Sequence, residues 1–276
     1  MSFIVFSDLD GTLLDHHDYS FDAALASIAA LQAQAIPLVL NTSKTEAETT
    51  EIRTALRLED AFIIENGAAA YLPKRQFLAA PAESYAVGDY WCHALVEPVE
   101  YWRKLLTQFA GAHPQCFTTF SEMSVTQLSD LTGLTMDQAR SAKSRAYGEV
   151  LHWIGTDSSL NAFRSFAKDN GAKVHIGGRF VHFGGDTDKG RAMEWVTARY
   201  QELKSSALQT IALGDGGNDA PMLEVADFPI VIRSPVNPSP NLTTTAAVRT
   251  SKSCGPLGWQ EEIARFLQIE PDTKGK

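Results

Sequence analysis

Short runs of consecutive apolar residues recur along the chain, and apolar residues return every three or four positions in the stretches between them. A continuous apolar run is typical of a strand buried on both faces, whereas the wider spacing is typical of an amphipathic helix. Strands are therefore predicted over residues 3–6, 36–40, 62–64, 210–213 and 229–232. Helices are predicted over residues 23–35, 45–58, 189–203 and 261–267. This alternation predicts an α/β fold with a Rossmann-like parallel-sheet core and helices on both faces.

The middle of the chain has a different pattern, richer in aromatic residues and without the simple alternation of strand and helix. Two helices and two strands are predicted there, over residues 98–109, 135–147, 150–154 and 179–183. Polar and apolar residues alternate in the last of these, which favours an antiparallel sheet with one covered face. Because the α/β signals resume afterwards, we predict an inserted α+β cap domain at 84–185. The core domain is then discontinuous, comprising residues 1–83 and 186–276.

Composition narrows the possible partners. The chain has 276 residues, 44% of them hydrophobic and 21% charged, and a formal net charge of -9. This acidic balance argues against a nucleic-acid binder, which normally has a basic face. It is compatible with phosphorylated substrates, because a metal ion can supply local positive charge.

Two further patterns predict the location of the protein. No apolar run approaches the ~18 residues that a membrane-spanning helix needs, and the first residues do not resemble a signal peptide. The cysteines Cys92, Cys116 and Cys254 are far apart and form no CxxC pair. This spacing predicts neither a zinc site nor a disulfide framework and fits a reducing cytoplasm. We therefore expect a cytoplasmic protein without a membrane partner.

A pair of carboxylates follows the first predicted strand. Asp8 and Asp10 flank Leu9 and precede Gly11 and Thr12. On extended backbone, residues i and i+2 point to the same side, so the two carboxylates can share a divalent cation or divide nucleophilic and acid/base roles. A strand that ends in acidic residues and is followed by a simple turn would have the same sequence.

A second polar cluster, residues 214–219, follows the predicted strand at 210–213 and contains Asp215, Asn218 and Asp219. Its glycines allow a close approach of the backbone to a ligand, and its acids can complete a magnesium site, although such loops are also common as simple turns. Thr42 and Ser43 follow another strand, where they can hold phosphate oxygens, and Lys189 opens a helix. Each of these residues alone is more often structural.

The order of these parts resembles the haloacid dehalogenase-like phosphohydrolase superfamily: DxDGT, a strand-end Thr/Ser, a lysine and then GDxxND. The segment between Thr42 and Lys189 is where the type-two cap of that superfamily lies. Further segments are similar to the mannosyl-3-phosphoglycerate phosphatase family: 41–45, 64–68, 131–134, 142–149, 177–180 and 186–190. The chain departs from the expected cap motif at Gly148 and Val150, where a serine and a proline are expected.

The resemblance implies roles for particular residues. Asp8 is expected to attack phosphorus, Asp10 to act as acid and base, and Thr42 and Lys189 to hold the non-bridging oxygens. Mg²⁺ is expected at Asp8, the Asp10 backbone carbonyl and Asp215. Two further residues are expected to orient these groups, Asn218 and Asp219. Four are candidates for substrate binding, Ser43, Lys44, Arg145 and Arg179, because arginine is suited to bidentate binding of carboxylates and phosphates.

The predicted partner is a small phosphorylated metabolite, with mannosyl-3-phosphoglycerate or a related glycosyl phosphoglycerate first. Alternatives are a broader sugar-phosphate or nucleotide phosphatase, a phosphomannomutase-like phosphotransferase and a non-catalytic binding module. The joint presence of Asp8, Asp10, Lys189 and Asp215 argues against the last. The oligomeric state stays open.

Overall fold

The structure is a computed structural model that describes residues 2–177 and 179–268. The last predicted core residues, 269–276, lie outside the described residues. Within the described ranges the strands are β1 (Ser2–Ser7), β2 (Leu38–Asn41), β3 (Phe62–Ile64), β4 (Ala69–Pro73), β5 (Tyr85–Val87), β6 (Tyr90–Ala94), β7 (Phe117–Thr119), β8 (Gly148–Trp153), β9 (Ala172–Gly177), β10 (Phe180–Gly185), β11 (Leu208–Gly214), β12 (Phe228–Arg233) and β13 (Arg249–Cys254). The α-helices are α1 (Leu25–Ala33), α2 (Glu46–Ala55), α3 (Val99–Ala112), α4 (Val125–Thr132), α5 (Met136–Lys143), α6 (Asp157–Asp169), α7 (Lys189–Lys204), α8 (Ala220–Val225) and α9 (Gly255–Phe266).

A nine-stranded sheet forms the core, in the order β13-β12-β11-β1-β2-β3-β4-β6-β5. The pairs from β13 to β3 are parallel, and β4, β6 and β5 add an antiparallel edge. All five predicted core strands lie in the parallel part, which confirms the predicted α/β class. Parallel strands need crossover connections, and helices supply them.

Helices cover both faces of this sheet. Along β1, Val5 packs with the cluster that contains Trp259 of α9, whereas Ile4 and Phe6 pack with the opposite cluster, which contains Met193 of α7. Side chains of successive strand residues point to opposite faces, so a strand covered on both sides needs apolar residues at every position. This is why the apolar runs are continuous.

A second, antiparallel sheet has the order β7-β8-β10-β9. On β10, Val181 and Phe183 pack under helices α3 and α6, beside Trp102 and Phe163. His182, between them in sequence, lines a cleft on the other side. The predicted alternation along this strand is therefore present in the structure.

The first residues predicted for the cap lie in the large sheet instead. Strand β6 pairs with β4, Cys92 opposite Tyr71, and β5 pairs with β6. These short strands with aromatic residues extend the antiparallel edge, so they lack the long apolar runs that mark the parallel part. We propose that the core unit extends to Ala94 and that the cap unit follows it, up to residue 185.

In the described ranges, no helix combines the length and apolar character that crossing a membrane requires.

Candidate active site

The two acidic segments of the sequence meet at one edge of the sheet. Strand β1 pairs in parallel with β11, so Asp8 and Asp215, which follow these strands, lie side by side. The Asp8 N–H donates to the Leu213 carbonyl at 2.9 Å. Gly11 turns the chain away with φ +80°, and a Cβ there would lie 2.6 Å from Asp215 Oδ2. Only glycine satisfies both the positive φ and this close approach.

Lys189 lies between two carboxylates in the same place. Its Nζ is 2.5 Å from Asp8 Oδ1 and 2.7 Å from Asp219 Oδ1, and its side chain is fully buried. Burial by itself lowers the pKa of Lys189, but the charges of Asp219 and Asp8 outweigh burial and raise that pKa above its ordinary value. Lys189 is therefore a buried cation in contact with Asp8.

The pKa of Asp8 is raised well above its ordinary value, first by burial and then by the charge of Asp219, against the opposing effect of Lys189. The other oxygen of Asp219 accepts hydrogen bonds from the backbone N–H groups of Asp215 and Gly216, both at 2.9 Å. Asp219 therefore connects Lys189 to the loop that carries Asp215, which is a positioning role.

The carboxylates fit a hard divalent cation. Oxygen atoms of Asp8, Asp215 and Asp219 all lie within 4.8 Å of one another. Three carboxylates against the single ammonium of Lys189 leave a formal charge of -2 in a buried site (−3 + 1). Burial also raises the pKa of Asp215, as expected for a carboxylate without sufficient positive charge nearby. Oxygen donors with excess negative charge are the set that Mg²⁺ prefers.

Two side chains that sequence reasoning did not assign hold Asp215. Asn237 Nδ2 donates to Asp215 Oδ2 at 2.9 Å, and Thr12 Oγ1 donates to Asp215 Oδ1 at 3.4 Å. Asn237 lies in the loop after β12, at the same edge of the sheet as the other site residues. Its position after a parallel strand is the one sequence signal that points to it.

The segment after β2 borders the acidic site. Thr42 is buried, its N–H donates to the Ile63 carbonyl, and its hydroxyl accepts from the Lys44 N–H at 3.1 Å. Lys44 Nζ lies 2.9 Å from Asp10 Oδ1. Helix α2 begins just beyond, where Thr45 forms a capping box with Glu48. This capping box fixes where helix α2 starts, and therefore the direction in which the loop leaves strand β2.

A cleft of about 240 Å³ opens from this site between the two sheets. On the core side it is lined by Lys189 and Asn218. The cap side contributes four groups with basic side chains, Arg145, Lys173, His175 and His182. Burial, and next the charge of Arg145, lower the pKa of His182 to about 3, so this imidazole is neutral near pH 7. The cleft therefore joins the acidic site to a cap side that carries Arg145 and Lys173, the latter paired with Asp186, beside two imidazoles and Glu149.

The two arginines predicted to bind substrate lie in different places. The Arg145 side chain is only 9% exposed in the cleft, and its Nη2 lies 3.3 Å from Glu65 Oε2 and 3.4 Å from the Ser43 carbonyl. Arg179 is exposed, its Nη2 donates to the Thr132 carbonyl at 3.4 Å, and its guanidinium lies 5.5 Å from the Phe180 ring centroid. In the described residues Arg179 is not among those that line the cleft, so this geometry does not support its predicted role.

Glu65, which the sequence motif contained but no role was assigned to, contacts the cap. Its carboxylate accepts hydrogen bonds from the N–H groups of Ala146, Tyr147 and Gly148. Gly148 is one of the two departures from the expected cap motif, and its contact uses the backbone. The absence of a serine side chain at position 148 therefore removes no hydrogen bond to Glu65.

Comparisons with known proteins show the family of the chain. Residues 5–88 match the haloacid dehalogenase-like hydrolase family. A glucosyl-3-phosphoglycerate/mannosyl-3-phosphoglycerate phosphatase of Methanococcoides burtonii is 33% identical over 270 residues, 97% of this chain and 98% of that protein. A protein of the same name from Persephonella marina is 35% identical over 273 residues, 96% of this chain and 97% of that protein.

Solved structures share the fold. A phosphatase of the haloalkanoate superfamily from Bacteroides thetaiotaomicron has a TM-score of 0.68 at 17% identity and covers 98% of this chain and 96% of that one. The sucrose-phosphatase of Synechocystis has a TM-score of 0.58 at 15% identity, with 96% and 98% covered. The fold is the one that these phosphatases share. The chain belongs to the haloacid dehalogenase-like hydrolases and is a phosphatase of that family.

Proposed function

We propose that the protein hydrolyses the phosphate ester of mannosyl-3-phosphoglycerate or a closely related glycosyl phosphoglycerate, with Mg²⁺ and through an aspartyl-phosphate at Asp8. The observation that carries the chemistry is the buried contact of Asp8 with Lys189, beside Asp215. The substrate class is supported by the names of the relatives that match nearly the whole chain. Arg145 and Lys173 on the cap side of the cleft suit a substrate with a carboxylate as well as a phosphate.

In the first step, a carboxylate oxygen of Asp8 attacks phosphorus and the bond from phosphorus to the ester oxygen breaks. Asp10 gives its proton to the departing alkoxide, which leaves as the alcohol. In the second step, Asp10 takes a proton from water while the water oxygen attacks phosphorus. The aspartyl–phosphorus bond then breaks, inorganic phosphate leaves, and Asp8 is restored. The advantage of this route is that two displacements replace one difficult hydrolysis.

Three residues would hold the cation: Asp8 and Asp215 through their carboxylates and Asp10 through its backbone carbonyl. When bound, Mg²⁺ supplies positive charge that offsets the repulsion between Asp8 and the phosphate. The residues of the chain add to this effect. Lys189 and Thr42 hold the non-bridging oxygens of the transferring group, and Asn218 and Asp219 orient the surrounding loop.

Substrate selection is assigned to the wall that carries Arg145, with Ser43 and Lys44 approaching from the core. The planar guanidinium of Arg145 suits a carboxylate, and its contact with the Ser43 carbonyl places it next to the phosphate-binding segment. The three free cysteines support a place in a reducing cytoplasm.

The test is a Mg²⁺-dependent phosphate-release panel with mannosyl-3-phosphoglycerate, glucosyl-3-phosphoglycerate, hexose phosphates and nucleotides. We expect the two glycosyl phosphoglycerates to have the highest kcat/KM. A flat profile, or a preference for hexose phosphates, would replace this proposal with a broad sugar-phosphate phosphatase. Transfer of phosphate to a sugar instead of water would replace it with a phosphotransferase.

A further inference from the structure

The turn between β3 and β4 has an unusual backbone. Its three residues, Glu65, Asn66 and Gly67, have φ values of 49°, 60° and 89°. This left-handed region is costly for residues with a Cβ and persists where surrounding contacts impose it. Consecutive residues of this kind therefore indicate that the turn is held on several sides. We call these residues the 65–67 turn.

On one side, the 65–67 turn contacts the loops of the active site. The Glu65 N–H donates to the Lys44 carbonyl at 3.0 Å, and the Asn66 N–H donates to the Thr42 carbonyl at 2.9 Å. The Asn66 side-chain oxygen accepts from Asn218 Nδ2 at 3.2 Å. The turn is thus fixed to both the phosphate-binding segment and the loop that carries Asp215.

On a second side, the 65–67 turn contacts the base of helix α7. Thr187 Oγ1 donates to the Gly67 carbonyl at 2.9 Å. A Cβ on Gly67 would lie 2.0 Å from the carbonyl oxygen of Asp188, the residue just before Lys189. Only a glycine permits this approach, which sets the position of the helix that carries Lys189.

On the third side, the turn reaches into the cap. The Glu65 side chain is 1% exposed and lies 3.3 Å from Arg145 Nη2. Its Oε1 accepts from the Ala146 N–H at 2.7 Å, and its Oε2 accepts from the N–H groups of Tyr147 and Gly148 at 3.2 and 2.9 Å. Hydrogen bonds to a carboxylate are stronger than those to a neutral acceptor, and burial makes their loss costly.

The chain itself joins the two units only at residues 95–98 and 186–188, on either side of the cap. The segment that Glu65 contacts leads into β8, in the middle of the cap sequence. It also packs beside both connections, because the Ala146 carbonyl accepts from the Val99 N–H and Gly148 pairs with Gly184. Helix α5 adds a contact to α2, in which the Thr45 hydroxyl donates to the Ser141 carbonyl. Glu65 differs from that contact because its own turn also touches the 214–219 loop and the residues just before α7.

We propose that Glu65 is a positioning residue, which fixes Arg145 and the start of β8 relative to the phosphate-binding segment and Lys189. Its carboxylate sets the position of the cap side of the cleft, which carries Arg145, relative to the reacting phosphate. The inference rests on the proposed function only for the choice of the large substrate below.

The test combines a distance with kinetics in the full chain. Cys116 lies in the cap and Cys254 in the core, and neither is buried, whereas Cys92 is. Spin labels on these two thiols report the distance between the units. Glu65→Gln keeps the size of the side chain but places an NH₂ group against backbone N–H groups that need an acceptor.

The control is Asp60→Asn, which removes a half-buried carboxylate that also accepts a backbone N–H, from Leu38. It precedes β3, at the opposite end of the strands from the active site. This variant tests whether any loss of a core carboxylate alters the units' relative position.

We expect Glu65→Gln to broaden the distance distribution and Asp60→Asn to leave it as in the wild type. With Glu65→Gln, kcat/KM for a glycosyl phosphoglycerate should fall about 100-fold and that for p-nitrophenyl phosphate less than about threefold, because misplacement affects the larger substrate. A wild-type distance distribution in Glu65→Gln would overturn the proposal, as would equal losses on both substrates. If the wild type does not accept glycosyl phosphoglycerates, the proposed function fails, while the distance measurement still decides the role of Glu65.

Discussion

The two walls of the active-site cleft differ in how their charges are held. On the core side, Lys189 and Asp219 are completely buried, and each contacts a partner within 2.7 Å. On the cap side, Lys173 and His175 are exposed, whereas Arg145 and His182 are largely buried. The core wall is thus a buried charge network, whereas the cap wall combines Arg145, which contacts Glu65, with the exposed ion pair of Lys173 and Asp186 and with two imidazoles.

This difference suits two separate tasks, stabilisation of the transition state by the core and binding of the leaving group by the cap. Transition-state charge is stabilised best by groups that are already oriented and need no rearrangement, which describes the core wall. The cap wall, which is more exposed, can contact different leaving groups without changing that chemistry. We therefore expect core substitutions to act on every substrate and cap substitutions to act on some. Substitutions in the two walls test this separation, and a substitution of Asp8 should have the largest effect.

Asp8→Asn should abolish turnover on all phosphate esters, by about 10³-fold or more in kcat, because the amide is a poor nucleophile. The measurement is phosphate release with both p-nitrophenyl phosphate and a glycosyl phosphoglycerate. The matched control is Asp22→Asn, an exposed carboxylate at a helix start, which should keep wild-type rates. Substantial metal-dependent activity in Asp8→Asn would remove Asp8 from its assigned role.

Asp215→Asn should raise the Mg²⁺ concentration needed for half-maximal activity by about tenfold or more, because a neutral amide replaces an anionic ligand. A magnesium titration of the initial rate measures this, again beside Asp22→Asn. The same shift is expected for every substrate, since the core wall serves all of them. An unchanged titration would place the cation elsewhere.

Arg145→Ala should raise KM for a glycosyl phosphoglycerate by about tenfold, the cost of one charge-assisted contact, and change the KM for p-nitrophenyl phosphate little. Arg179→Ala is the comparison within the cap, and its exposed position outside the cleft predicts less than about a twofold change. Steady-state kinetics with both substrates decide this. If Arg179→Ala had the larger effect, the cleft would not be the selective site.

The smallest predicted effect concerns His182 and the pH dependence of the free energy of unfolding. Its pKa is lowered from 6.5 to about 3 by burial, then by Arg145 and His175, so the unfolded chain takes up this proton at higher pH than the folded one. Its stability contribution is therefore complete above pH 6.5 and is lost as the pH falls towards 3. Between pH 7.5 and 5.5 this amounts to about 1.4 kcal/mol.

His182→Gln should remove that part of the acid sensitivity, as measured by urea unfolding at the two pH values. The control is His16→Gln, in the loop after Asp10. An identical loss of free energy of unfolding between the two pH values in wild type and His182→Gln would show that this imidazole is not buried as a neutral group.

The sequence predicted the core better than the cap for a physical reason. Continuous apolar runs identify strands that are covered on both faces, and polar residues after them identify the edge at which ligands gather. Asp8, Asp215, Lys189 and Thr42 do meet at this edge in the structure. The roles proposed for these four residues depend on this proximity, which the parallel sheet creates.

Long-range contacts were harder to predict. Glu65 binds backbone N–H groups that lie more than 80 residues away, and such contacts leave no spacing pattern in the sequence. The sequence does not distinguish Arg145 from Arg179, but only Arg145 belongs to the segment that Glu65 contacts. The antiparallel edge of β5 and β6 falls in the predicted cap because the chain from residue 84 is richer in aromatic residues and lacks the alternation of strand and helix that marks the core.

The central claim is the covalent step at Asp8, and the Asp10→Asn variant tests it most directly. p-Nitrophenolate leaves without a proton, so the first displacement proceeds without Asp10, whereas the second, which needs a base, slows. Borohydride added during turnover with Mg²⁺ reduces an aspartyl-phosphate to homoserine, which mass spectrometry locates. The account predicts homoserine at position 8 with a burst of p-nitrophenolate. A burst with residue 8 unmodified, or modification at another residue, would contradict it.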